Sequence, residues 1–203
     1  MYLVLYFLFV FFTVNSIDDT EPKTIIFYGD SITAGYGIGT ELAFPNLIET
    51  KLVNNGYNVE VVNAGLSGET SAGGLTRIDW MLNRNFDVFV LELGANDGLR
   101  GLPIDETYKN LQLIIDKVTE KLPHTKIVLT GMMVPPNMGT EYAQAFMRIY
   151  PDLAKDNNAQ LIPFLLKDVA GIAELNQADG IHPNIQGHKI IAENLYPFFQ
   201  NLL

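Results

Sequence analysis

Short apolar runs alternate with longer amphipathic stretches from residue 24 to the end of the chain, and this alternation restricts the fold more than any other feature. The runs predicted to form strands are residues 24–28, 59–63, 88–93, 126–130 and, more weakly, 160–163. The stretches predicted to form helices are residues 45–54, 72–83, 104–121, 141–157 and 185–202. Strands that are apolar at nearly every position are covered on both faces, and strand–helix alternation implies right-handed crossovers between parallel strands. The pattern therefore predicts an α/β fold, a three-layer α/β/α sandwich around a parallel sheet.

The composition excludes several classes of partner and chemistry. The chain of 203 residues is long enough for one domain with a full-sized core, and no linker or internal repeat interrupts it. A formal net charge of -10 leaves no broad basic face for nucleic acid, which is therefore not an expected partner. The absence of cysteine excludes disulfides, thiolate metal ligands and a cysteine nucleophile, so covalent catalysis would need another side chain.

The first residues of the chain have the pattern of a secretion signal. Residues 1–14 carry no charged side chain, and as a helix they would reach about 21 Å, short of the roughly 30 Å hydrocarbon core of a membrane. We therefore expect a signal peptide at residues 1–16, cleavage before Ile17, and a single exported domain, residues 17–203, that is periplasmic or secreted. No stable membrane span is expected. Because no Lys or Arg precedes the apolar run, an uncleaved anchor is the alternative.

Polar segments that contain glycine follow the first three predicted strands and recur near the C-terminus. They are residues 29–35, 63–70, 94–98 and 179–183. In open parallel sheets ligands bind beyond the carboxyl ends of the strands, so we expect these segments to meet there. They contain Ser31, His182 and Asp179. Acyl transfer needs these three side-chain types, because a hydroxyl nucleophile requires a base to take its proton and a carboxylate to orient that base.

Each of these segments alone has a simpler interpretation. Ser31 could only cap the following helix, and Asp179 with His182 could form a solvated turn. The occurrence of every part of an acyl-transfer site at one end of the predicted sheet favours catalysis instead.

Three other titratable side chains are not expected to take part in the chemistry. Asp30 adjoins Ser31, so its carboxylate should point away from the hydroxyl and accept hydrogen bonds from the loop backbone. His124 follows a proline in a predicted turn, and His188 lies beside Lys189 on the last helix. Both histidines are expected to be solvated.

The four segments resemble the conserved blocks of the GDSL, or SGNH, hydrolase family, and the resemblance extends over nearly the whole chain beyond the signal. Within that family, residues 93–101 and 176–184 are most similar to the exported acyl thioesterase I, lysophospholipase and arylesterase group. The resemblance implies a flavodoxin-like fold of about five parallel strands, without a lid domain. It also implies that Ser31 is the nucleophile, His182 the general base and Asp179 its orienting carboxylate, with no metal or organic cofactor.

The same resemblance assigns the oxyanion hole to three hydrogen-bond donors. They are the backbone N–H groups of Ser31 and Gly68 and the side-chain amide of Asn96. Gly65 is the competing glycine in the second segment. Gly68 is preferred because residues 67–70 match the Ser-Gly-acid-Thr string of the group better.

Apolar residues in two loops, at the same end of the predicted sheet, indicate the substrate. The residues expected to contact it are Leu99, Leu102, Met133, Val134 and Pro135. Methionine adapts to chains of varied shape, so we expect hydrolysis of carboxylic esters, and of thioesters, with medium acyl chains. The segment around Met133 is apolar where a polar or basic residue is typical of the group, so the acyl-chain preference of the group does not transfer.

Three alternatives are compatible with this pattern. A carbohydrate O-acetyl esterase would use the same catalytic residues, and a catalytically silent lipid-binding protein would keep only the fold. Nucleotide binding through the glycines of residues 35–39 is disfavoured, because their spacing departs from the dinucleotide-binding motif.

Overall fold

Five parallel strands form the central sheet of the computed structural model, which describes residues 21–203. The strands are β1 (Lys23–Gly29), β2 (Val59–Asn63), β3 (Val88–Glu92), β4 (Lys126–Thr130) and β5 (Gln160–Ile162). Their order across the sheet is β2-β1-β3-β4-β5, and each pair of neighbours is parallel. The predicted parallel sheet is thus confirmed. The predicted signal peptide, residues 1–16, and its cleavage site before Ile17 lie outside the described residues.

Helices cover both faces of this sheet, which confirms the predicted three-layer α/β/α sandwich. They are α1 (Ser31–Ala34), α2 (Phe44–Asn54), α3 (Ser71–Met81), α4 (Ala95–Leu99), α5 (Ile104–Lys121), α6 (Thr140–Asp156) and α7 (Ile185–Leu202). Short 3₁₀ turns lie at Thr40–Leu42, Pro136–Met138 and Ala173–Leu175. α2 packs against α7, and α5 packs against both α3 and α6. Within residues 21–203, no helix is both long and apolar enough to cross a membrane.

Consecutive residues of β1 bury their side chains on opposite faces of the sheet. Phe27 packs against Phe44 of α2 and Phe199 of α7, with ring centroids 5.4 and 5.3 Å apart. Tyr28 points to the other face, where its hydroxyl donates a hydrogen bond of 2.7 Å to the Gly74 carbonyl in α3. Both rings are fully buried. This two-sided burial explains why the strand is apolar at nearly every position.

The predicted element bounds agree with the observed ones to within two residues. The predicted helices 104–121 and 185–202 coincide with α5 and α7. The predicted helix 72–83 starts one residue late and ends two residues beyond α3. The true start is set by Thr70, whose hydroxyl accepts a hydrogen bond from the Gly73 N–H and so caps the helix.

His188 is buried, so the prediction that it is solvated is wrong. Its ring stacks on Phe44, with centroids 6.1 Å apart, and its Nδ1 accepts a hydrogen bond of 3.1 Å from the Phe44 N–H. That N–H lies in the first turn of α2, where no helical carbonyl is available to accept it. Burial lowers the pKa of His188 to about 4. The exposure of Lys189 does not predict that of His188, because adjacent residues of a helix face different directions. His124 is exposed in its turn, as expected.

Candidate active site

The structure brings together Ser31, Asp179 and His182, although Ser31 and His182 are 151 residues apart in the sequence. Ser31 is the first residue of α1, and its Oγ lies 2.9 Å from Nε2 of His182. Nδ1 of His182 lies 2.7 Å from Oδ2 of Asp179. An imidazole that donates from Nδ1 to a carboxylate presents the lone pair of Nε2 to the hydroxyl. The three side chains thus form one hydrogen-bonded chain along which the serine proton can be taken up.

A tight loop fixes the orientation of Asp179. Its Oδ1 accepts hydrogen bonds from the backbone N–H groups of Ile181, at 2.9 Å, and His182, at 3.0 Å. Gly180, between Asp179 and Ile181, has a φ of +69°, which favours glycine. Hydrogen bonds from the backbone and side chain of His182, and from the backbone of Ile181, lower the pKa of Asp179 to about 2. The carboxylate is therefore ionised at neutral pH and can stabilise an imidazolium.

Asp30 directly precedes Ser31 in the chain and is almost completely buried. Its Oδ1 accepts a hydrogen bond of 3.0 Å from the Ile32 N–H and caps α1, so the carboxylate serves the loop backbone. Its Oδ2 accepts a second hydrogen bond, also 3.0 Å, from Nδ2 of Asn96, a contact that the sequence did not indicate. Burial raises the pKa of Asp30 to about 6. An amide NH₂ group has two N–H bonds, so one remains for another acceptor.

Glu92, the last residue of β3, is a buried carboxyl group that the sequence reasoning missed. Its Oε2 accepts hydrogen bonds from the Thr33 hydroxyl, at 2.7 Å, and from the Asp30 N–H, at 3.2 Å. Its Oε1 is buried without a partner in the described part of the chain. Burial and the charge of Asp30 raise the pKa of Glu92 well above its usual range. The sequence does contain an indication of this group, because an acidic residue is rare in an apolar strand that is covered on both faces.

The raised pKa of Glu92 predicts an effect of Glu92→Gln on the pH dependence of stability. A carboxyl group whose pKa is raised by folding stabilises the fold while it is protonated, and this contribution is lost as the pH rises towards the folded-state value. Glutamine cannot ionise, so the melting temperature of the variant should fall less steeply than that of wild type as the pH rises above about 5. The difference should approach about 3–6 °C per pH unit where Glu92 is still protonated in the folded protein but would be ionised in the unfolded chain. The exposed Glu120→Gln is the control, and identical slopes for the two variants would contradict the prediction.

The two glycines that compete for the oxyanion hole have different surroundings. The N–H of Gly65 already donates to Oδ1 of Asn63 at 3.1 Å. Gly68 lies on an exposed turn with a φ of +79°, and within residues 21–203 its N–H has no backbone acceptor. A backbone donor without a protein acceptor remains available to a ligand, which favours Gly68 over Gly65.

α4 and the residue that follows it hold the Gly68 turn. Nη2 of Arg100 donates a hydrogen bond of 3.1 Å to the Gly68 carbonyl. The Asp97 carboxylate accepts hydrogen bonds from the Ser71 N–H, at 2.8 Å, and from the Ser71 hydroxyl, at 2.5 Å. Asp97 directly follows Asn96 in the chain. The same short helix therefore carries the Asn96 amide and fixes the turn that carries Gly68.

An apolar groove with a volume of about 540 Å³ lies near Ser31 and His182. The lining residues that matter most here are Ile32, Leu99, Met133, Val134, Pro135 and Ile181. Ile32 and Ile181 are the chain neighbours of Ser31 and His182, so the groove lies next to these two residues. Leu102 does not line it, unlike the other residues expected to contact the substrate. The carbonyl of Leu102 instead accepts a hydrogen bond of 2.8 Å from the Tyr142 hydroxyl.

A metal ion would need several His, Asp or Glu side chains brought together as ligands. Among residues 21–203, no group of three or more His, Asp or Glu side chains is placed to hold one. The side chains that meet at the carboxyl end of the sheet are instead a hydroxyl, an imidazole, carboxylates and an amide. Such a set suits general acid–base and nucleophilic chemistry.

Comparison with known proteins gives matches over most of the chain. The model of the GDSL-like Lipase/Acylhydrolase family matches residues 27–190. Esterase TesA of Pseudomonas aeruginosa is 38% identical over 182 residues, which cover 89% of this chain and 90% of the relative. The arylesterase of Vibrio mimicus is 36% identical, with 92% of each chain covered. Thioesterase 1/protease 1/lysophospholipase L1 of Escherichia coli K12 is also 36% identical, with 91% of this chain and 87% of the relative covered.

A solved structure agrees with these matches. The crystal structure of TesA superposes with a TM-score of 0.84 at 38% identity, and the match covers 89% of this chain and 100% of that one. A match of this quality over most of the chain supports the α/β/α fold described above.

Proposed function

Because this chain belongs to the GDSL-like lipase/acylhydrolase family and is a serine ester hydrolase, we propose that Ser31 attacks carboxylic esters and thioesters of medium acyl chains. The observation that carries this proposal is the continuous hydrogen-bonded chain from Ser31 through His182 to Asp179 beside an apolar groove. A nucleophile, its base and the orienter of that base are the three parts that acyl transfer requires.

In the proposed reaction, Nε2 of His182 removes the proton from the Ser31 hydroxyl as Oγ attacks the carbonyl carbon. The tetrahedral intermediate collapses when the imidazolium gives that proton to the leaving alcohol or thiol, and the acyl group stays on Ser31. A water molecule then repeats the sequence with the same base and releases the acid. Asp179, which is ionised at neutral pH, stabilises the imidazolium in both halves of the reaction.

Three donors are proposed for the developing oxyanion: the N–H groups of Ser31 and Gly68 and the side-chain amide of Asn96. The hydrogen bond from Nδ2 of Asn96 to Asp30 supports this role for Asn96. It fixes the plane of the amide, so the second N–H bond has a defined direction. Donors that are held in place before the reaction stabilise the transition state without the free-energy cost of reorienting them.

Asn96→Ala should lower kcat by about 10²–10³, the loss measured when one oxyanion donor is removed. KM should change much less, because the donor acts mainly on charge that develops in the transition state. Steady-state kinetics with a p-nitrophenyl ester would measure both constants. Asn83→Ala, at an exposed position after α3, is the matched control. A kcat near the wild-type value for Asn96→Ala would remove Asn96 from the site.

The medium-chain preference is supported by the shape and chemistry of the groove. Met132, Met133 and Val134 all line the groove, and of the three only Met133 is exposed, at 44%. Each methylene that enters an apolar groove of this kind contributes up to about 0.8 kcal/mol, or roughly fourfold in kcat/KM. Longer acyl chains should therefore react faster until the groove is filled.

The experiment that tests this function measures kcat/KM for p-nitrophenyl esters of two to about twelve carbons, beside acetylated xylan and a thioester of the preferred chain. We expect a maximum at medium length and hydrolysis of the thioester. Met133→Ala should lower the octanoate-to-acetate ratio about fivefold. Met147→Ala, which is 45% exposed on α6, should leave it unchanged.

Two alternatives have distinct outcomes in that experiment. A monotonic fall in kcat/KM from acetate, with efficient release of acetate from xylan, would indicate a carbohydrate O-acetyl esterase. Binding of fatty acid without turnover of any ester would indicate a silent lipid-binding protein.

Export is a further part of the proposal, and it is supported by the sequence of residues 1–16 alone. The protein expressed with this segment should be recovered outside the cytoplasm, with Ile17 as its first residue. Amino-terminal sequencing of the recovered protein measures this directly. Recovery of Met1 from a membrane fraction would indicate an uncleaved anchor instead.

A further inference from the structure

Tyr36 lies against the imidazole of His182 and is not explained by the mechanism above. The centroids of the two rings are 4.7 Å apart, with 42° between their planes. Tyr36 is nevertheless 52% exposed, so about half of its surface is open to solvent beside the general base. It is not among the residues that line the apolar groove. The structure thus has a half-exposed aromatic side chain next to His182 and outside the lining of the groove proposed for the acyl chain.

The backbone of Tyr36 is held firmly in this position. Its N–H donates a hydrogen bond of 3.0 Å to the Ser31 carbonyl, and its carbonyl accepts one of 2.6 Å from Nε2 of Gln177. The N–H of Gln177 donates to the His182 carbonyl at 2.7 Å. These bonds tie Tyr36 both to the nucleophile turn and to the loop that carries the base.

The neighbours of Tyr36 in the chain allow this arrangement. Gly35 and Gly37 have φ values of +74° and +78°, which other residues rarely adopt. A side chain at Gly37 would also collide with the amide of Gln177. The chain therefore makes a narrow turn that leaves the ring of Tyr36 projecting beside the site. A fixed aromatic ring loses little conformational freedom when a ligand binds to it.

We propose that Tyr36 forms the subsite for the leaving group and that this subsite favours aromatic alcohols and thiols. The inference rests on the proposed function, because it assumes that His182 protonates the leaving atom. That atom must then lie within hydrogen-bond distance of Nε2, on the imidazole that Tyr36 contacts. The acyl chain occupies the groove, so the other substituent of the carbonyl carbon extends away from it. An aromatic leaving group placed there can pack against the exposed ring in an offset or edge-to-face arrangement.

The test compares two esters that share one acyl group, phenyl butanoate and ethyl butanoate. Both form the same acyl-enzyme, and kcat/KM reports the steps up to its formation, so a selective change reflects the leaving group. The effect of each variant is expressed relative to wild type for each ester separately, which cancels the intrinsic reactivity of the ester. Tyr36→Ala should lower kcat/KM for the phenyl ester about fivefold to tenfold and for the ethyl ester less than about twofold. Tyr36→Phe should restore both values, since the ring is sufficient.

Met133→Ala is the control for the acyl side of the substrate, because Met133 lines the groove proposed for the acyl chain. It should change the dependence on acyl length while leaving the phenyl-to-ethyl ratio unchanged. Melting temperatures of all variants check that they are folded.

Equal losses for the two esters in Tyr36→Ala would overturn the subsite and leave Tyr36 as a residue that only positions His182. No loss for either ester would overturn it as well. Failure of the wild-type protein to hydrolyse either ester would contradict the proposed function itself, and the subsite with it. A selective loss for the phenyl ester that Tyr36→Phe restores would support the proposal.

Discussion

Ser31→Ala is expected to abolish ester hydrolysis, with kcat reduced by about 10⁶, the scale found when the nucleophile of a serine hydrolase is removed. The reason is that no acyl-enzyme can form without Oγ, so only the weak effect of binding and of the oxyanion donors remains. Ser31 contacts His182 through its hydroxyl, and its backbone continues α1 unchanged in the alanine variant. The fold should therefore persist, with a melting temperature close to that of wild type.

A fluorophosphonate that labels activated serines measures this directly. Wild type should take up one equivalent, which peptide mass spectrometry should locate on Ser31, and Ser31→Ala should take up none. Ser67→Ala changes an exposed serine and should keep both labelling and activity. Stoichiometric labelling of Ser31→Ala would assign the nucleophile to another residue.

Asp179→Asn is expected to lower kcat by about 10⁴ while the protein stays folded. An amide in this position can donate to Nδ1 of His182, which favours the tautomer that carries its proton on Nε2. That tautomer cannot accept the Ser31 proton. The Oδ1 contacts to the backbone of Ile181 and His182 can be kept by the amide oxygen, so the loop should hold its shape.

Asp30→Asn distinguishes this kinetic effect from a structural one. Asp30 does not contact the imidazole, but its two oxygens cap α1 and hold Asn96. Asparagine retains only one acceptor oxygen, so we expect a lower melting temperature and a loss in kcat of about tenfold, well below that of Asp179→Asn. Thermal melts and kinetics of both variants decide the matter. Unchanged melting temperatures together with a larger kinetic loss at Asp30 would contradict these roles.

The periodicity of apolar residues is sufficient to predict the architecture, because it indicates which side of each helix or strand is buried. The predicted helices 104–121 and 185–202 match α5 and α7 in full. The strands were recognised because a central parallel strand must be apolar on both faces. The polar segments after the strands were the correct places to search, since parallel strands end at one edge of the sheet.

Contacts between distant segments could not be obtained in this way. Periodicity indicates which residues are buried but not which residues they meet, so it does not predict the contact of His188 with Phe44. Leu102 lies three residues after Leu99, which led to the expectation that both contact the substrate, yet Leu102 does not line the groove. A loop position alone does not determine where a side chain points.

The α/β class, the five strands and five longer helices, the family resemblance and the residue types needed for acyl transfer all follow from the amino-acid sequence. The contacts of Glu92 with the Asp30 N–H, of Asp30 with Asn96 and of Tyr36 with His182 appear only in the folded structure. The difference lies in the sequence separation of the residues that interact. Helix and strand patterns arise from neighbours a few residues apart, whereas these contacts join segments that meet only after the whole sheet has formed, and their chemistry depends on the burial and distance that packing creates.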